Sequence, residues 1–410
     1  MFENIIGHAA TVQVLRDELG RGRFPRASIF FGPPYTGKLS TALEAARVLT
    51  CREGRAEWSC ACQSCRLQKE LAHPHTVLLG ARYVDVEIAA CAGVLMRSRK
   101  QPTQYLFLRA VRKLTRRFDP AILDTDDTKL KGALDRVAQI EELLDELQPG
   151  KELPPERELG VLLEKVMSAS VQLAAQVRAD GITVGQVRKL AAWTHMTATE
   201  SRKVAILENA DRMQESARNA LLKLLEEPPE AVNIILLSTR RAAIIPTILS
   251  RLRPYPFDQR SPAEEKEVMA KIFREETPAF EDLRGYFLAW KEINPEKLTI
   301  LAGKFLDQVI SAEDQPAFDV AEELSQLLPD RKGRRERSPK ETIISFLEEL
   351  TFRFLALLRD GRGSMETLEE WNAAVREALM RLDMYNMSPQ TVLESLLYRM
   401  RHAAGQEAAG

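Results

Sequence analysis

The apolar run Ala27–Phe31 and the loop after it, Gly32-Pro33-Pro34-Tyr35-Thr36-Gly37-Lys38, restrict the fold of this chain more than any other stretch. The run predicts a buried strand, two glycines bracket a tight loop, and helical spacing follows the lysine. In such a strand–loop–helix unit, backbone N–H groups wrap phosphates and the lysine reaches the terminal ones. The same chemistry needs Ser or Thr directly after the lysine, because that hydroxyl ligates the magnesium bridging the phosphates. Here the position is Leu39, which offers no oxygen. Ser40 is next, but one helical step turns a side chain by about 100°, so its use would require a distorted helix start. The loop either binds nucleotide, through Gly32, Thr36, Gly37, Lys38, Leu39 and Ser40, or keeps its shape without one.

Two further apolar runs, at 203–207 and 232–237, flank an amphipathic helix that stops at Pro228-Pro229. Apolar strands alternating with helices predict an α/β domain, a parallel sheet covered on both faces. An NTPase of this type ends the middle strand with an acid that holds magnesium and a carboxylate that activates water. The chain reads Glu208-Asn209-Ala210-Asp211 there. Glu208 can hold a metal through a water, but Asn209 is a neutral amide. A general base contributes about 10²–10⁴-fold, so this defect and Leu39 together predict hydrolysis slowed by several powers of ten. Asp211 reads as a surface or helix-capping residue.

At 410 residues the chain should hold more than one domain. Lys and Arg number 58 against 59 Asp and Glu, which excludes a wholly basic binder and leaves any nucleic-acid contact to a local patch or a partner. No apolar run approaches the roughly 18 residues of a membrane span, and Met1-Phe2-Glu3-Asn4 lacks signal-peptide character, so a cytoplasmic location without membrane contact is expected. Cys51, Cys60, Cys62 and Cys65 crowd into one stretch, which suggests metal ligation rather than disulfides, while Cys91 stands apart.

Residues 82–178 read as a helical insertion with a basic first half (Arg97, Arg99, Lys100, Arg109, Arg112, Lys113, Arg116, Arg117) and an acidic middle (Glu141, Glu142, Asp145, Glu146). Charge runs on helices usually face water, so a solvated face is the default, with contact to nucleic acid or a partner as the sharper alternative. Beyond about residue 260 only helical periodicity remains, broken by Pro278, Pro295 and the basic loop at 331–337.

Phe2-Glu3-Asn4-Ile5-Ile6-Gly7-His8, the glycine loop, the cysteines, the run Asn219-Ala220-Leu221-Leu222-Lys223-Leu224-Leu225-Glu226-Glu227-Pro228-Pro229 and Ile248-Leu249-Ser250-Arg251 follow one another in an order that resembles the bacterial clamp-loader subunits of the AAA+ class. The likeness is nearest to the delta-prime branch of DNA polymerase III. It spans about 1–80 and 180–260, with a weaker echo at 386–400, and 82–178 has no counterpart in it. The resemblance implies an AAA+ α/β domain at 1–258 containing a zinc module at 51–65 and the insertion at 82–178. A small helical lid at 259–310, an all-α collar at 311–402 that mediates oligomerisation through a large apolar face, and a disordered tail at 403–410 complete it.

It also implies site roles. Arg251 would act in trans on nucleotide held by the neighbouring subunit, where a guanidinium stabilises charge on the transferred phosphoryl group. Thr239 falls near the family's nucleotide-sensing polar residue. Cys51, Cys60, Cys62 and Cys65 would hold a structural Zn²⁺, although one residue, Ala61, separates Cys60 from Cys62 where the family has two, which leaves His73 or His75 open as a replacement ligand. The implied partners are the other subunits of a pentameric hetero-oligomer, the sliding clamp, and primed DNA reached through the complex. The first reading is thus a hydrolysis-deficient clamp-loader subunit; the alternative is the ATP-hydrolysing motor subunit, gamma/tau-like, using Lys38, Ser40 and Glu208 with ATP and Mg²⁺. A stand-alone zinc-containing nucleotide-binding module is a third, against which the Asn219–Pro229 run and Ser250-Arg251 argue.

Overall fold

The computed structural model describes every residue except 55, 81–84, 124–129, 175–180, 197–201, 277–279, 291–294, 312–322, 324–338, 360–363, 385–386 and 410. Pro278, the basic loop at 331–337, Asn386 and both ends of the expected insertion lie outside the described residues. The chain divides into two compact units, Met1–Arg284 and Gly285–Gly410. That division falls inside the 259–310 segment expected as a lid.

Five parallel strands form the first unit's sheet: β1 (Ala27–Phe31), β2 (Thr76–Leu79), β3 (Lys203–Leu207), β4 (Val232–Ser238) and β5 (Arg253–Pro256), in the order β2-β3-β4-β1-β5. The inner strands are buried and mostly apolar because both faces are covered. On one face Ile29, Leu79, Leu207, Ile234 and Leu236 pack with Val187, Leu190, Leu221 and Leu225, contributed by α8 (Val184–His195) and α9 (Glu215–Glu226). On the other, Phe30, Leu78, Ile206, Ile235 and Leu237 pack with Leu15, Leu19, Leu39 and Leu43 from α1 (Ala9–Gly20) and α2 (Lys38–Leu49). In α9 the buried side is Ala217, Leu221, Leu224 and Leu225.

β5 carries Pro254 and Pro256, which cannot donate to a ladder, and it lies at the sheet's edge, where that loss is tolerated. α10 (Pro246–Leu249) precedes it and α11 (Pro262–Lys271) follows. Between the neighbouring strands β2 and β3 lie α4 (Asp85–Ser98), α5 (Gln101–Thr115), a single 3₁₀ turn at Arg116–Phe118, α6 (Leu130–Asp145) and α7 (Glu156–Ala174).

Arg97, Arg99 and Lys100 of the basic half are exposed, as a solvated face would be, but its later part, from Arg109 to Arg117, is not. α3 (Gln63–Lys69) ends against α5, and arginines one turn apart reach its terminal carbonyls. Arg109 donates to Lys69 O at 3.1 Å, Arg112 to Glu70 O at 2.9 Å and Arg116 to Leu71 O at 2.7 Å. Cations at a helix C-terminus satisfy orphan carbonyls and complement the helix dipole. Arg112 also pairs with Glu141 at 3.0 Å and Lys113 with Glu87.

The second unit is helical among its described residues: α13 (Pro295–Ser311), α14 (Pro339–Arg359), α15 (Met365–Met384) and α16 (Pro389–Ala409), with α12 (Leu283–Trp290) at the division between units. Phe305, Phe346, Phe354, Trp371 and Leu397 are among its buried core, and Trp371 Nε1 donates to Met400 O at 2.9 Å. Ile300, Ile310, Met365, Met380 and Tyr398 stand exposed. The tail expected to be disordered from residue 403 is instead helical through Ala409, and Ala403 is buried in the core. Among the described residues, no helix is long and apolar enough to cross a membrane.

Candidate functional site

The glycine loop, Glu208-Asn209 and Thr239 follow β1, β3 and β4 respectively, so they gather at the carboxyl ends of adjacent strands, where open α/β sheets bind ligands. Gly32 has φ 146°, and a Cβ there would sit 1.8 Å from Phe257 O, so only glycine fits. Gly37, at φ 84°, opens α2.

Lys38 is folded onto its own loop. Its ammonium donates to Gly32 O at 2.7 Å, to Pro33 O, and to Thr36 Oγ1 at 3.1 Å. Arg260 pins the same loop to the N-terminal segment, donating from Nη1 to Tyr35 O at 2.6 Å and from Nε to Ile6 O at 3.0 Å. Leu39 turns away from the loop into the core face shared with Phe30 and Leu43. α2 starts regularly, Thr41 N donating to Gly37 O at 2.9 Å, so nothing rotates the half-buried Ser40 into the vacated role.

Glu208 is buried and ion-paired with Arg117, which the 3₁₀ turn after α5 supplies. Asn209 has φ 52°, a left-handed conformation that Asn adopts more readily than most residues, so its identity suits the backbone whatever the chemistry. Asp211 is neither a surface residue nor a cap: it is buried, accepts from Ser238 Oγ at 3.0 Å and pairs with Arg240 at 3.3 Å. Thr239 is half-buried just past β4. A magnesium nucleotide would require an oxygen where Leu39 stands and a carboxylate at Glu208 released from a guanidinium. These residues do not fit that group.

Arg251 lies between α10 and β5, away from this cluster in sequence and about one-third exposed. Its Nη2 donates to Glu226 Oε1 at 2.9 Å, at the end of α9, and its Nη1 to Thr247 O at 2.7 Å.

The four cysteines do converge. Cys51 follows α2, Cys62 caps α3 by accepting from Cys65 N at 3.4 Å, and all four sulfurs lie within 4.8 Å of one another. Cys51 and Cys60 sulfurs are 3.8 Å apart, close to the edge of a tetrahedron built on metal–sulfur bonds of about 2.3 Å. The single residue between Cys60 and Cys62 is therefore no obstacle, and the group can hold a metal ion such as zinc.

Histidine is not needed. His73 Nδ1 accepts from His75 N at 3.1 Å, its Nε2 donates to Ser64 Oγ at 3.0 Å, and Ser64 Oγ donates to Thr50 O at 2.6 Å. Burial, with the cations around it, pushes the ring down to about 4, so it stays neutral. Burial also raises the Cys65 thiol. At Cys62 burial is outweighed by the backbone N–H groups of Cys65 and Arg52, which hold the thiol down to about 6. Behind the sulfurs Arg47 donates to Cys65 Sγ at 3.3 Å and to Ala56 O at 2.7 Å while pairing with Glu44 at 2.6 Å.

Arg117, Arg260, Phe257 and Arg47 were not legible as site residues. Arg117 sits in a charged helical stretch whose spacing names no partner, while Arg47's i,i+3 spacing to Glu44 in the apolar α2 names its ion pair but not its contact with the cysteines.

Residues 152–261 match the family described as DNA polymerase III, delta subunit. The chain is 45% identical over 71 residues to DNA polymerase III subunit delta' of Pseudomonas aeruginosa, covering 17% of this chain and 22% of that protein. It is 34% identical over 89 residues to the delta' subunit of Bacillus subtilis, covering 21% and 27%. It is 33% identical over 100 residues to the gamma/tau subunit of Mycobacterium tuberculosis, covering 24% and 17%. The chain thus spans about a quarter or less of the length of the curated relatives it matches. The crystal structure of a gamma subunit-related protein from Thermotoga maritima aligns with 54% of this chain and 80% of its own at 20% identity, with a TM-score of 0.27, too low to bear on the fold. Over these partial stretches the chain is similar to delta, delta' and gamma/tau subunits of bacterial DNA polymerase III.

Proposed function

We propose that this chain is a clamp-loader subunit of the replicative polymerase that does not turn over ATP itself and supplies Arg251 to nucleotide held by a neighbouring subunit. The observation that carries the reading is Leu39: where magnesium needs a hydroxyl, the chain puts hydrocarbon into the core behind the loop. The folded-back Lys38 and the neutral Asn209 support it. In this reading 1–258 is the AAA+ domain, with a structural zinc on Cys51, Cys60, Cys62 and Cys65, 259–310 a lid and 311–402 a collar. The pentameric assembly acts on the sliding clamp and primed DNA.

Turnover of ATP by the isolated chain tests the reading. The account expects a rate at least about 10²-fold below the usual range of 1–10³ s⁻¹, unchanged by Lys38→Ala. A rate inside that range, abolished by Lys38→Ala, would favour the gamma/tau-like motor reading, which the Mycobacterium tuberculosis relative keeps in view.

A further inference from the structure

Arg117 presents all three kinds of guanidinium nitrogen to three oxygens. Nε donates to Lys113 O at 2.9 Å, Nη1 to Gly80 O and Nη2 to Glu208 Oε2. Its side chain is 4% exposed and that of Glu208 11%. The three oxygens come from three places: the last turn of α5, the residue after β2, and the residue after β3. Gly80 has φ 100°, and a Cβ there would lie 2.3 Å from Glu208 O, so glycine lets the two strand ends approach closely enough to share one cation. A carboxylate and two carbonyls are hard oxygen donors of the kind magnesium and manganese take. A charge buried among them must be matched, and the match comes from the inserted helices.

We propose that Arg117 is a built-in cation that occupies, in place of a divalent ion, the oxygen site formed by Glu208, Gly80 and Lys113, so that the inserted helices keep the end of β3 free of metal. This deepens the reading of a retired nucleotide site and rests on it. It gives the insertion a role toward the sheet: the turn after α5 carries the guanidinium to Glu208, while α5 itself is held on α3 by Arg109, Arg112 and Arg116. Because Arg117 is tethered to the chain, it competes for these oxygens at a fixed effective concentration that a free ion must exceed.

The test is a manganese titration of the full, zinc-loaded chain, followed by electron paramagnetic resonance. Four proteins are compared: wild type, Arg117→Ala, Glu208→Gln, and Arg117→Ala with Glu208→Gln. The proposal expects Arg117→Ala to gain one bound Mn²⁺ at least about tenfold tighter than anything wild type binds, and the double variant to lose it. Melting temperature should rise with Mn²⁺ in Arg117→Ala alone. Glu208-dependent Mn²⁺ binding by wild type would overturn the proposal, as would a folded Arg117→Ala chain that binds no more Mn²⁺ than wild type. If Arg117→Ala folds only with Mn²⁺ present, the proposal is supported; if it fails to fold even then, the guanidinium is structural and the proposal falls. Wild-type ATP turnover would sink the functional reading, whereas unaltered Mn²⁺ binding with turnover absent would sink only the cation.

Discussion

Arg47 and Glu44 illustrate how much one buried pair carries here. Their side chains are 1% and 2% exposed, and Glu44 Oε1 also accepts from Phe2 N at 3.2 Å, tying the N-terminus to α2. The guanidinium spans the pair, the carbonyls of Ala56 and Glu57, and the sulfur of Cys65. Removing one partner of such a pair leaves an uncompensated buried charge, which costs about 3–5 kcal/mol, whereas replacing both with apolar residues often costs far less. Arg47→Met should therefore lower unfolding stability in urea by about that amount, and Glu44→Leu with Arg47→Met should recover part of it. A double variant as unstable as the sum of both single variants would contradict the pairing.

At the scale of elements, the cysteine cluster and the inserted helices are one structural unit. α3 carries Cys65 and starts on Cys62, and its far end is held by Arg109, Arg112 and Arg116. Metal analysis of the purified chain should find one zinc per polypeptide. Removing it with a chelator should lower the melting temperature and raise protease sensitivity around 51–75. A metal-free chain with unchanged melting would contradict the assignment.

The strands β1, β3 and β4 were legible because buried parallel strands are continuous apolar runs. β2 was not, being four residues long, and β5 was hidden by its two prolines, which are tolerated only because nothing pairs beyond it. The sulfur cluster could be read from spacing. The fate of the basic stretch could not, since periodicity shows which charges share a face but not that α3 ends opposite them. For the same reason Glu208 could be named as the acid at the end of β3, while its partner Arg117, 91 residues earlier, could not.

For the whole molecule, near-equal numbers of acidic and basic residues suit the proposed role of a subunit that meets DNA only as part of an assembly. In the proposed reading the frame of a nucleotide motor is kept in the sheet order, the glycine loop and the strand-end acid, while the groups that would run it are replaced or engaged. What is left available is Arg251, about one-third exposed and held by an ion pair with Glu226 of the kind worth about 1 kcal/mol or less, which little would oppose leaving. The most direct measurement is DNA-stimulated ATPase of the clamp loader reconstituted with Arg251→Ala in this chain alone. The account predicts assembly of the complex as for wild type, with turnover at the neighbouring site reduced by about 10³-fold or more; full turnover by an intact complex would contradict it.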